Sequence, residues 1–130
     1  MGAWGTAAFD NDDASDWVYD FEKRGIAAID DALSEAEGSG PLEMPTDANA
    51  IAAGEVIAAA LGRPATGLRE DILSLTRVLR DHVTSEHAER ARIVAERVLA
   101  DSEVAELWAE TDENEDWRAT VDDLISRLAV

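Results

Sequence analysis

Cysteine is absent from this chain of 130 residues, which excludes disulfides and thiolate metal sites and agrees with a reducing compartment. Lysine occurs once, at Lys23, so nearly all the positive charge is arginine. Proline (three) and glycine (eight) are sparse, leaving few places where a helix must stop. Aromatic residues make up 5% of the chain, and four of them are tryptophans. No apolar run is longer than residues 56–61, far below the roughly 20 residues of a membrane-spanning helix. Residues 1–10 carry neither a basic stretch nor an apolar one, so no signal peptide is expected. A cytoplasmic protein with no membrane contact is the expectation.

What is present in excess is negative charge. The chain carries 29 acidic and 11 basic residues, for a net charge of −18. Residues 1–62 contribute a net −11, residues 63–100 a net +1, and residues 101–130 a net −8. The acidity therefore lies at both ends and the middle is balanced. Such a field repels phosphate backbones and argues against nucleic-acid binding, while it favours a basic protein partner or cations. Net charge also serves solubility, and an Ala-, Asp- and Arg-rich proteome would produce the same composition without any partner. A hydrophobic fraction of 46% is ordinary for one globular domain, so the charge does not imply disorder.

No segment alternates apolar and polar residues long enough for a strand, and helical spacing recurs throughout. A first helix begins near Asp12 or Asp13, either of which can cap it, with Ala14, Trp17, Val18 and Phe21 on one stripe. Gly25 ends it, and a second helix follows over about 26–36. Thr46 or Asp47 caps a third, about 48–61, which Gly62 and Pro64 stop. That helix is almost free of charge, and a helix apolar nearly all round belongs at the centre of a bundle. A fourth is expected over about 69–82 and a fifth over about 86–100 behind a Thr84 or Ser85 cap. A short one to Ala109 and a last over about 114–129 complete the set, with Asp112 and Glu115 resembling a capping box. The expectation is all-α: one domain, a compact bundle of six or seven helices with antiparallel neighbours.

Two segments resemble a known family. Gly2-Ala3-Trp4-Gly5-Thr6-Ala7-Ala8-Phe9-Asp10-Asn11-Asp12-Asp13-Ala14-Ser15-Asp16-Trp17 is similar to the opening of a bacterial domain-of-unknown-function family of about this length. Leu107-Trp108-Ala109-Glu110, then Asp116-Trp117-Arg118 and the apolar positions from Leu124 to Leu128, resemble its ending, and the alanine-rich helix around Glu55 fits its middle. The resemblance implies one complete domain and brings no activity with it.

Candidate sites follow from chemistry. Asp10, Asp12, Asp13 and Asp16 place four carboxylates within seven residues, a set that oxygen-seeking cations favour. The EF-hand loop pattern is not met, because Ser15 and Phe21 stand where Gly and Glu are needed. The structural reading of this segment is a helix cap with acids at the positive helix end and Trp4, Phe9 and Trp17 packed inward. Glu55 stands alone on an apolar helix, where burial raises a carboxyl pKa unless a partner such as Arg77 or Arg97 holds the charge. His82 and His87, five residues apart, would sit about 140° apart on a helix and share no face. Trp4, Trp17, Trp108 and Trp117 lie in the most acidic parts of the chain, either as shared core or as aromatic faces ringed by carboxylates. No nucleophile with its base and no phosphate-binding glycine loop is visible.

Two functions are compatible with these residues. The first is a non-enzymatic interaction domain that presents an acidic surface to a basic protein, through Trp4, Asp10, Asp12, Asp13, Asp16, Trp17, Glu55, Trp108, Glu110 and Trp117. The alternative is a metal-binding domain or metal-dependent enzyme built on Asp10, Asp12 and Asp16, with Glu55 or Glu110 as a distant ligand. No cofactor is expected beyond a divalent cation in that second case.

Overall fold

The computed structural model describes residues 7–38 and 41–129. Among these residues it holds seven α-helices and no strand: α1 (Asp12–Arg24), α2 (Ile26–Ala36), α3 (Thr46–Ala60), α4 (Glu70–Leu79), α5 (Ser85–Ala100), α6 (Glu103–Ala109) and α7 (Asn114–Leu128). A 3₁₀ turn over Arg80–His82 follows α4, so the fourth helix is shorter than its periodicity suggests. Trp4 lies outside the described residues.

Helix α3 is the axle of the bundle and packs against all six other helices. Twelve of its fifteen residues are buried, and most of those are Ala or Gly. Small side chains bring neighbouring backbones close, and Gly54 is the clearest case. A Cβ there would lie 3.2 Å from Leu124 Cδ2 and 3.7 Å from Leu128 Cδ1 of α7. Gly54→Val is therefore expected to cost on the order of 1–3 kcal/mol by overpacking. For Gly54→Ala, the gain in helix propensity of about 1 kcal/mol offsets a lesser crowding. Urea denaturation of the two variants checks the ordering.

The amphipathic helices turn their apolar stripes onto this axle. Ala14, Trp17, Val18 and Phe21 of α1 are buried, with Trp17 stacked on Phe21 at a centroid distance of 5.3 Å. Gly25 joins α1 to α2 with φ of 57°, a left-handed conformation that suits glycine, while its N–H donates to the Phe21 carbonyl. Leu42 and Ser102 form an isolated parallel bridge that ties the segment before α3 to the start of α6.

The caps correct several expectations. Asn11, not Asp12 or Asp13, caps α1: its Oδ1 accepts from the Ala14 N–H at 2.8 Å. Asparagine competes equally with aspartate at this position, and the chain turns one residue earlier. Asp47 lies inside the first turn of α3, and neither it nor Thr46 is the capping residue. Thr84 does cap α5, in a box closed by His87. The Asp112–Glu115 box does not form. Glu113 occupies the cap position of α7 without a side-chain bond, and its N–H donates to Thr111 Oγ1.

Candidate functional site

Glu55 is the buried ionisable group that the sequence singles out, and it is 2% exposed. Neither Arg77 nor Arg97 is its partner. Arg77 reaches Glu70, and Arg97 donates to the Ala36 carbonyl. The partner is Arg127 on α7, whose Nη2 and Nη1 donate to Glu55 Oε1 and Oε2 at 2.7 and 3.2 Å. Arg127 also donates to Asp123 Oδ2 and to the Arg63 carbonyl. Burial pushes the Glu55 carboxyl above its ordinary value, and the Arg127 guanidinium pulls it part of the way back. Burial would loosen the Arg127 proton, but Glu55 and Asp123 outweigh it and hold the group charged.

A cleft of about 90 Å³ opens beside Glu55. Asp10 lines one wall with Phe9, the Ala65–Leu68 turn and Arg69 line another, and Thr120 of α7 contributes a hydroxyl. The walls are fixed by local hydrogen bonds. Asn11 Nδ2 donates to the Ala8 carbonyl, and the Asp10 N–H donates to that of Ala7. The Leu68 N–H closes onto the Ala65 carbonyl across Gly67, whose φ is 80°.

The remaining sequence candidates scatter. Asp12 and Asp16 are exposed, Asp13 is half-buried, and Glu110 is exposed on the far side of α6 in sequence. Among the described residues, no three His, Asp or Glu side chains converge on a common point for a metal. Trp17, Trp108 and Trp117 are 5–6% exposed and belong to the core, so they do not offer aromatic faces to a partner. Apolar stripes of α1, α6 and α7 carry them inward, which is the reason. His87 Nδ1 accepts from the Thr84 N–H and its Nε2 reaches Asp30 Oδ1 at 3.1 Å, while His82 is exposed.

Asp47, which the sequence offers only as a candidate helix cap, is a second buried carboxylate. Its side chain is fully buried, Oδ1 accepts from the Ala48 N–H at 2.7 Å, and Oδ2 accepts from the Val104 N–H at 2.9 Å. One carboxylate thus serves the amino ends of α3 and α6. Burial, and then Glu103 and Asp13, push its carboxyl upward against these two bonds. The bond from the Val104 N–H to Asp47 brings the amino ends of α3 and α6 together.

The charge of the two halves is organised differently. On the α2–α5 side, acids and bases interlock: Arg90 meets Glu37 and Asp30, and Arg92 spans Glu89 and Glu96. From Asp101 to Asp123, all ten acids are exposed. The one base within that stretch, Arg118, turns to the Leu99 carbonyl, and Arg127 just beyond it is shared between Glu55 and Asp123.

A family model described as a domain of unknown function (DUF4259) matches residues 2–120. The chain belongs to the DUF4259 family. No curated protein and no solved structure matches it. The match to DUF4259 covers the opening Trp- and Asp-rich segment, Glu55 and the cleft. It ends within α7, before Asp123 and Arg127, so the arginine that holds Glu55 lies beyond the matched span. No helix among the described residues is long and apolar enough to cross a membrane.

Proposed function

We propose that this DUF4259 domain is a non-enzymatic interaction module that binds a basic protein through its α6–α7 end. The observation that carries the reading is the set of carboxylates from Asp101 to Asp122, exposed throughout and in no ion pair among the described residues, beside an α2–α5 side whose charges are cross-paired. Separated like charges of this kind focus a field, speed encounter with a positive partner and make association sensitive to salt. Trp108 and Trp117 serve this end from below, as rigid core beneath the carboxylates, and not as contact rings.

An arginine-rich peptide at low ionic strength is the defined probe. Replacing Glu106, Glu110, Glu113 and Glu115 with Gln is expected to weaken its binding about tenfold or more, a loss of roughly 1.4 kcal/mol. A control variant with Glu22, Glu35, Glu86 and Glu89 changed to Gln has the same net charge and is expected to bind nearly as the parent does. Equal weakening in both variants would show that the global field acts without a face, and the reading would fail.

A further inference from the structure

The cleft beside Glu55 has chemistry that the α6–α7 end does not explain. A buried ion pair is a poor source of stability, since apolar side chains of similar volume often serve as well or better. Glu55 and Arg127 nevertheless stand at the centre of the bundle, and Glu55 faces an open cleft. A carboxylate offers about four acceptor positions, of which Arg127 occupies two. Asp10 adds a second carboxylate to the lining, and no hydrogen bond to that carboxylate is made by any described residue. The cation in the lining is Arg69, and it is spent: Nε and Nη2 donate to the two carboxylate oxygens of Asp71 at 3.1 and 2.6 Å.

We infer that this cleft is a binding site for one small organic cation, a guanidinium or alkylammonium group, seated between Glu55 and Asp10. Charge decides the sign of the ligand. Glu55 is paired with Arg127 and Arg69 with Asp71, which leaves Asp10 as the unpaired charge of the lining. Volume decides its size. About 90 Å³ is small against the several hundred Å³ of a drug-sized pocket. A guanidinium or ammonium head with a short stem fits. Phe9 and Leu68 supply apolar contact for the stem, and Thr66 and Thr120 supply hydroxyls at the rim. Preformed walls lower the ordering cost of binding. Two sources share this chemistry: an arginine or lysine side chain of a basic partner, and a free small amine.

The test is a titration followed through the backbone amide resonances of Gly67 and Thr120 at constant ionic strength. Methylguanidinium and n-butylammonium are the probes, with urea and sodium chloride as controls of shape and charge. Saturable shifts with the two cations, and none with the controls, are expected. Asp10→Asn is expected to weaken the effect about tenfold, and Thr120→Leu, which fills the rim without touching a charge, to abolish it. If the controls move the same amides as much, or neither cation moves them, the site does not exist. The arginine-rich peptide then separates the sources. Shifts at Gly67 at far lower peptide than methylguanidinium concentration identify a partner's side chain. Saturation by the free cation with no response to the peptide identifies a small amine. The variant neutralised on α6 and α7 keeps the cleft, so failure at the cleft and failure at the acidic end are read separately.

Discussion

Arg127→Ala is expected to destabilise the protein by about 3–5 kcal/mol, because it leaves Glu55 charged, buried and unpaired. The loss is large relative to the 5–15 kcal/mol that holds an ordinary domain together. Replacing both partners with leucine is expected to restore most of it, since the cost comes from the stranded charge and not from the absent attraction. The deficit has a defined pH dependence. Burial raises the folded-state value of Glu55 above its ordinary 4.5, and loss of Arg127 removes the force that opposed this. A group raised on folding contributes stability that is fully present below its unfolded value and is lost as pH rises through the folded one. The gap between Arg127→Ala and the parent is therefore small in acid and widens from about pH 4.5 upward. Urea midpoints of the two proteins at a series of pH values measure it. A deficit independent of pH would mean that lost packing of the arginine stem dominates.

The parent protein responds to acid through other groups. Glu37 and Asp71 are held below their usual values by Arg90 and Arg69, so their contributions exist above the unfolded values and fade as pH falls. Both are largely solvated, which keeps these contributions small.

The bundle was legible in the sequence wherever apolar spacing and breakers agreed. Helix α2 lies where Gly25 and the stripe through Ile29 and Leu33 place it, and α3 is central because its faces are apolar all round. Helix ends were less legible. Asn11, Asp12 and Asp13 are all competent caps, and only the path of the chain before α1 selects Asn11. Glu55 was conspicuous because it is a lone charge among alanines. Its partner was not, because Arg127 lies 72 residues away and the pairing depends on how α7 crosses α3. The tryptophans misled in one respect. Acidic neighbours in sequence suggested acidic surroundings in space, yet helical period sends Trp108 and Trp117 inward while the acids beside them face water. Thr66, Gly67 and Thr120 had no signal of their own, since a cleft wall drawn from a turn and a distant helix has no local pattern.

Asp47→Ala is expected to cost about 2–4 kcal/mol, although the residue looks from sequence like one more acid in an acidic chain. Its two oxygens satisfy the Ala48 and Val104 N–H groups, and each buried donor left without an acceptor costs about 1–3 kcal/mol. Helix α6 suffers most. It has seven residues, too few to stand without tertiary support, and its first turn relies on Asp47 and on Ser102, whose Oγ accepts from the Ala105 N–H. Hydrogen exchange at Val104 and Ala105 should therefore accelerate far more than exchange at Val94 of α5. Asp47→Asn keeps one acceptor oxygen and is expected to lose about half as much. Acidification sharpens the comparison. Burial raises the Asp47 carboxyl above its ordinary 3.8, so lowering the pH toward that value adds its proton and adds stability from this group. The asparagine side chain does not titrate, so the gap between Asp47→Asn and the parent should widen in acid. If the gap instead shrinks as pH falls, the ionised carboxylate stabilises the junction of α3 and α6 more than its burial opposes it. The upward shift would then be wrong in sign.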